Sequence, residues 1–379
     1  MTRPTPVRCP ALGHPDLPLA DPADLGPLLG RLAEDRPVEA DETFPLGTLR
    51  ADGRVDLCKQ GLGPAGAALL LPAAVASPHA KHLLLGTNGL ADDGARTLAG
   101  ALRGGAHGLH TLYLGCNRIG PDGALALARV LTGDDTVRAL WLKRNPLHED
   151  GARILAALLR RNTALRTLDL VNTGTGAAGI RLLLDALLVR DRPLERIFLG
   201  GNGLTAEAAP LLAALIRDAG VRELYVPANH LGDEGAEILA AAATESARPV
   251  RLGLGGNGIG ARGTRALAAA LGAIDALDLG RALSERTLGA AGNDPGDEGA
   301  YALAAALPGS PLRRLDLRHT GITGRGAKSL LAALPEGAPL EHIGLGPGTP
   351  RRVKRAFAER LRPATAAHPD VRAIGSVYR

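Results

Sequence analysis

Aromatic residues are scarce in this 379-residue chain, which holds four Tyr, three Phe and one Trp. No run of 18 apolar residues occurs, which excludes the usual membrane-spanning helix. The three cysteines form no CxxC pair and show no Cys/His metal spacing, so no metal or cofactor site is read from the sequence. The opening MTRPTPVRCPALGHP lacks a charged-then-apolar leader pattern, and a cytoplasmic location is the expectation. Lysine is rare too: only five of the 44 basic residues are Lys. With abundant Ala, Gly and Arg, this composition hints at a GC-rich bacterial coding sequence.

Most of the chain also lacks an excess charge of either sign. The net charge is +5, but residues 351–379 hold eight basic residues against Glu359 and Asp370, or +6, which leaves −1 for everything before them. No basic stripe is interleaved with aromatics, and this argues against a nucleic-acid partner.

What the chain has is a repeat. With Leu112 as offset zero, apolar residues follow at +2 (Leu114) and +7 (Ile119), Asn117 stands at +5, and Gly123-Ala124 at +11 and +12. This spells a short strand, a turn and a helix that cannot bury its apolar side alone. Zero positions recur at Val55, Leu83, Leu112, Leu140, Leu168, Ile197, Leu224, Leu252, Leu277, Leu315, Ile343 and, more weakly, Ile374, mostly 28 or 29 residues apart. The +5 residue recurs as Asn88, Asn117, Asn145, Asn202, Asn229 and Asn257. The chain must turn sharply out of each strand, and an amide there can both donate to and accept from stranded backbone groups. Stacked at about 4.8 Å per strand, these amides should form a ladder. Among the repeats that depart from the rule, Asn172 comes one residue early and Ala282 stands at +5 of the ninth.

The pattern LxLxxNxL at this period resembles the ribonuclease-inhibitor class of leucine-rich repeats over roughly residues 55 to 379. The resemblance implies an α/β solenoid, a horseshoe of short parallel strands on the concave side and helices on the convex side. Residues 1–54 read as an N-terminal cap: a helix opened by Asp21-Pro22 and running to about Leu32, then a hairpin from Phe44 to Leu57 turning at Ala51-Asp52-Gly53. Residues 55–349 carry the repeats, with an insertion at 282–292, and residues 350–379 a capping helix, Pro350 to Leu361, and a last strand, Val371 to Val377. Cys58 and Cys116 lie two strand steps apart, roughly 10 Å, too far for a disulfide that needs Cα atoms within about 7 Å. Free thiols are therefore expected, as in a reducing compartment.

Function is sought on the concave face, where residues at −1, +1 and +3 point away from the stack. Four of the eight aromatics, Tyr113, Trp141, Phe198 and Tyr225, share offset +1 in five consecutive repeats, and Asp169 is the fifth member. Gly115 and Gly200 at +3 should leave an open floor beneath the rings, and Lys143 should lie close enough to Asp169 to pair. Aromatic anchors of this kind mark binding surfaces, although this repeat class also stacks an aromatic there for purely structural reasons. The resemblance implies a protein or peptide partner, with a small-molecule ligand as the second choice. Ribonuclease inhibition and small-GTPase activation, known for proteins with similar repeats, are not carried over, because no residue here matches a motif specific to either.

A second, polar patch gathers Arg251, Asp278, Arg314, Asp316, Arg318 and His319. Asp278 and Asp316 should stand about 5 Å apart, a spacing used by acid/base pairs, but the arginines should keep both ionised. Cys58 is a candidate reactive thiol if Lys59 lowers its pKa, yet the nearest histidine, His82, is roughly 13 Å away along the strand direction. The reading is a non-catalytic recognition scaffold. Its alternative is an enzyme, or an enzyme-shaping subunit, with a pocket near Trp141 or a reactive Cys58.

Overall fold

The computed structural model describes residues 6–8, 18–280 and 288–377. It forms two compact units, one of Pro6–Leu194 with Ala367–Arg379, the other containing Glu195–Ala366.

In the first unit the cap begins with a single 3-10 turn, Pro22–Leu25, whose first N–H groups are met by the Asp21 side chain accepting from Ala23 N. The helix Gly26–Ala33 follows and buries Leu28 and Leu32. Strands β1 (Glu42–Thr43) and β2 (Thr48–Leu49) pair antiparallel. β2 then runs antiparallel to β3 (Arg54–Asp56), with Leu49 opposite Val55. The expected hairpin is therefore present, and it covers the sheet edge that β3 would otherwise expose. From β3 onward the pairing is parallel: β4 (His82–Leu84), β5 (Thr111–Tyr113), β6 (Ala139–Trp141) and β7 (Thr167–Asp169) follow in order, in the register Val55, Leu83, Leu112, Leu140, Leu168. These are the zero positions. In the second unit β8 (Arg196–Phe198), β9 (Glu223–Tyr225), β10 (Val250–Gly253), β11 (Ile274–Asp278), β12 (Arg314–Leu317) and β13 (His342–Leu345) repeat the arrangement, again pairing zero positions from Ile197 to Ile343.

The asparagine ladder forms as its chemistry requires. Asn117 Nδ2 donates to the carbonyls of Leu85 (2.8 Å) and Leu114 (3.0 Å), and its Oδ1 accepts from Asn88 N at 2.8 Å. Asn145 Oδ1 in turn accepts from Asn117 N and Ile119 N, at 2.9 and 3.0 Å. Each amide thus ties its own strand end to the preceding repeat. The apparent gap in the ninth repeat is closed by Asn293, which accepts from Asn257 N and Ile259 N, both at 2.9 Å. The inserted residues precede the turn amide, so Ala282 is not its equivalent. Residues 282–287 of that insertion lie outside the described residues, while Leu288 and Ala290 pack against Ala228.

The helix-opening glycines have a packing cause. The first-turn carboxylate Asp92 reaches the next helix, accepting from Gly120 N (2.7 Å) and Gly123 N (3.0 Å). A Cβ on Gly123 would come within 2.5 Å of that oxygen. Asp233 treats Gly260 and Gly263 the same way. A small residue here is the condition for capping one helix from the helix before it.

Three expectations are corrected. The closing segment contains the helix Arg351–Ala358, but residues 371–377 form no strand: Pro369–Ala373 is a short helix. Proline at its first position and the His368 ring accepting from Asp370 N favour a helical start, and this segment belongs with the first unit. Cys116, expected as a free thiol, is disulfide-bonded. Its strand stands two steps from that of Cys58, too far for a bond between them, and Cys58 is free. Asn172, finally, is not a slipped copy of the ladder amide alone: its Nδ2 donates to Pro6 O (3.1 Å) and its Oδ1 accepts from Arg8 N (2.8 Å), so it also holds the N-terminal segment.

Candidate functional site

The sheet face turned away from the helices carries the +1 and +3 side chains in both units. In the first unit it holds Tyr113, Trp141, Lys143 and Asp169. None of them stands free: Trp141 and Asp169 are 0% exposed, Tyr113 4% and Lys143 8%. The expected open floor is filled, because a Cβ on Gly86 would meet Tyr113 Cε1 at 2.5 Å and one on Gly115 would meet Lys143 Cγ at 3.0 Å. The side chains lie along the sheet over the glycines instead of rising from it. In the second unit Phe198 and Tyr225 stack with ring centroids 4.5 Å apart and planes 7° from parallel. Tyr225 Oη donates to Glu223 Oε2 at 2.9 Å, and Glu223 also pairs with Arg196 (3.0 Å) and Arg251 (3.6 Å).

The +1 aspartates share one local task. Asp56, Asp169, Asp278 and Asp316 each accept from the backbone N–H two residues on, at 3.1, 2.8, 2.8 and 3.0 Å. They close the turn where the strand ends, which explains the recurrent Leu-Asp-Leu spelling.

The polar patch of the second unit is only partly assembled. Asp278 and Asp316 flank Gly280, whose added Cβ would lie 3.2 and 2.5 Å from their Oδ1 atoms. Arg318 Nε binds both oxygens of Asp316, at 3.0 and 2.8 Å, while Arg251 turns to Asp275 at 2.9 Å. Desolvation, then the like charge of Asp316, pushes the Asp278 carboxyl up. Asp278 is an exposed residue, so water damps the first of these. Arg314 and His319 are exposed, and neither closes an acid/base pair.

Beside the buried Tyr113 and Lys143, the first unit opens a cavity of about 1240 Å³. Its floor is Cys58, Gly86, Tyr113, Gly115 and Lys143, its walls include Thr43–Pro45 and Gly47–Thr48 of the hairpin region, and Leu19, Ser376 and Val377 close its margins. Four cations line it, Lys59, Arg118, Lys143 and Arg144, against the single carboxylate of Asp56 among the described lining residues. The turn geometry sets this rim. Lys59, Thr87, Cys116 and Arg144, all at +4, have φ of 61, 60, 58 and 56°. At +6, Gly61, Gly89, Gly174, Gly203, Gly258 and Gly321 also have positive φ, and Arg118 occupies the same left-handed position with φ 60°. A side chain there costs on the order of 1 kcal/mol. An arginine where other repeats read glycine was the sequence signal that could have pointed to this cavity.

Burial dominates the titration of its floor. Desolvation lowers the Lys143 ammonium to about 8, against the attraction of Asp169. Burial, followed by the charge of Asp56, pushes the Cys58 thiol up, and Lys59 opposes this only weakly. The reactive-thiolate reading therefore loses its electrostatic basis. Cys58 Sγ instead accepts from Gly86 N at 3.2 Å, and His82 Nδ1 is engaged with Thr111 Oγ1 at 2.9 Å. Iodoacetamide at pH 8 is expected to alkylate Cys58 at least tenfold more slowly than free cysteine, because so little thiolate forms. A rate equal to that of the free amino acid would restore the reactive reading. Among the described residues no group of His, Cys, Asp and Glu is placed to hold a metal ion, and no helix is long and apolar enough to cross a membrane.

Strand, turn and helix recurring about every 28 residues, with an amide ladder at the strand ends, define a repeat scaffold. The Leucine Rich repeat family model matches residues 107–128 and 310–331. These two stretches match a leucine-rich repeat, and the fold is that of a leucine-rich-repeat solenoid. A chain from the crystal structure of the Rad7 and Elc1 complex in yeast superposes with a TM-score of 0.54 at 16% identity, covering 93% of this chain and 87% of that one. At that identity the likeness speaks for the fold. The leucine-rich-repeat-containing protein LegL7 from Legionella pneumophila aligns with a TM-score of 0.46 at 17% identity, covering 77% of this chain and 92% of that one. No curated protein matches the chain.

Proposed function

We propose that this protein is a non-catalytic recognition scaffold that takes a protein or peptide partner at the cavity of its first unit, through a segment bearing carboxylates. The observation that carries this reading is the lining itself, with Lys59, Arg118, Lys143 and Arg144 set against Asp56. The lining carries more cations than carboxylates, and an acidic segment entering the cavity would meet that excess positive charge with charge-assisted hydrogen bonds. Tyr113 gives the acid an apolar neighbour. Trp141 and Asp169 support the floor from within, and the stacked Phe198 and Tyr225 belong to the other unit's own packing. That the solved structure noted above is of a protein complex fits a scaffold used for association. A small carboxylate-bearing molecule is the second reading, favoured by the near-complete burial of Lys143.

The experiment is a selection of random peptides on the folded chain, followed by titration of the winners. Peptides enriched in Asp and Glu, binding Lys143→Gln at least tenfold more weakly while circular dichroism shows that variant folded, would support the reading. Winners without acidic residues, or with affinity unchanged by Lys143→Gln, would sink it.

A pH dependence follows. Below about 8 the Lys143 amine is charged, and above it neutral, so affinity for an acidic peptide is expected to fall as pH rises through 8. Stability should move oppositely. The folded state releases the Lys143 proton at lower pH than the unfolded chain does, so this residue's contribution to stability rises between about 8 and the ordinary lysine value of about 10.4. Affinity that is flat from pH 7 to 9 would contradict the role of this amine.

A further inference from the structure

The same face of the first unit is already occupied along its lower row by the chain's own C-terminal segment. The −1 residues Arg54, His82, Thr111, Ala139 and Thr167 stand in register across β3 to β7. They point the same way as Tyr113 and Lys143, yet Thr111, Ala139 and Thr167 have no exposed surface. Against them lies the helix Pro369–Ala373. The buried Asp370 accepts from Thr167 Oγ1 at 2.8 Å, Arg54 Nη1 donates to Ser376 Oγ at 3.4 Å, and Ile374 is fully buried. The Asp370 charge also acts on His82 and His110, whose rings meet edge to face at 6.2 Å. Ser376 and Val377 continue to the margin of the cavity.

This attachment is slender. The helix has five residues, far short of the length that holds a helix in isolation. It is reached through residues 362–367, which are exposed and form neither helix nor strand. A segment with so few buried anchors opens at a fraction of the cost of opening the sheet beneath it.

We infer that residues 367–377 are a displaceable internal ligand of this face, an acid-bearing short helix that must leave, at least at its Ser376–Val377 end, before a partner can fill the cavity. The inference rests on the reading of this face as the recognition surface, and it adds what regulates access to it. Release of the segment frees Thr167, Arg54 and the His82–His110 pair together with the cavity margin. A partner that presents its own short helix with a carboxylate at the position of Asp370 competes directly for Thr167.

The test uses the full-length chain and, as probe, a fluorescein-labelled synthetic peptide of residues 367–379. In the full-length double variant Asp370→Ala/Ile374→Ala, whose own segment has lost its anchors, the probe is expected to bind at least tenfold more tightly than in the wild type. Adding Thr167→Val should cost at least tenfold of that gain. Equal binding to wild type and double variant, with both folded by circular dichroism, overturns the inference. If the double variant does not fold, hydrogen exchange on the wild type decides. Amides of residues 371–377 exchanging at least a hundredfold faster than those of β5 mark an independently opening segment, and exchange at the rate of β5 marks a fixed part of the fold, which overturns the inference. Because the probe is the chain's own sequence, this outcome does not depend on whether selected acidic peptides bind the cavity.

Discussion

Replacing Asn117 with alanine is expected to destabilise the first unit by about 4 kcal/mol, since several buried backbone groups lose their partner at once and each costs about 1–3 kcal/mol when left unmet. The residue is 0% exposed. Its amide serves Leu85 O, Leu114 O and Asn88 N, groups from two successive repeats. The loss should therefore appear as weakened coupling between neighbouring repeats as well as a lower midpoint. In a quasi-one-dimensional stack the interfaces between repeats carry the cooperativity, so urea unfolding should broaden into more than one step. A midpoint shift below about 1 kcal/mol would show that ordinary turn hydrogen bonds suffice there.

Trp141→Ala is expected to cost about 3–5 kcal/mol of stability, the range for emptying a large core side chain. The indole has no exposed surface, although its strand position directs it to the helix-free face. This separates the two accounts of the aromatic row. An exposed anchor would lose affinity and keep its melting behaviour, whereas a floor residue loses stability first and affinity only as a consequence. Urea denaturation of Trp141→Ala against wild type measures the difference, and a change below about 1 kcal/mol would return the ring to the surface.

The burial of that ring marks the border of what was legible in the sequence. The repeat was legible in detail, because strand alternation and helical spacing are local patterns. The zero positions pair with one another from Val55 to Leu168 and from Ile197 to Ile343. Side-chain direction was legible too, as the +1 and +3 residues do share one face. Exposure was not, since it depends on how far a ring leans over the neighbouring glycine and on chain returning from elsewhere. Tyr113 lies over Gly86, which alternation alone does not reveal. The segment around Asp370 returns to Thr167, 203 residues earlier, and Arg8 to Asn172, 164 residues later. Neither contact has a periodic signature. Val371–Val377 read as the last strand of the stack because Ile374 falls near the repeat spacing, but the helix-favouring His368-Pro369-Asp370 start prevails. The cavity was half legible: Tyr113, Lys143 and Cys58 were singled out by type, whereas Arg118 and Arg144 required the left-handed turn positions to be recognised as a rim.

The central claim is that a partner's carboxylate comes to rest beside the Lys143 amine in the cavity of the first unit. The most direct measurement follows the ε-carbon resonance of Lys143, in protein labelled at lysine, through a pH titration with and without a saturating acidic peptide. The account predicts a midpoint near 8 in the free protein, moving upward by about one unit or more when the peptide is bound, because a nearby opposite charge favours the ammonium. A midpoint that stays where it was while the peptide is demonstrably bound would contradict the account.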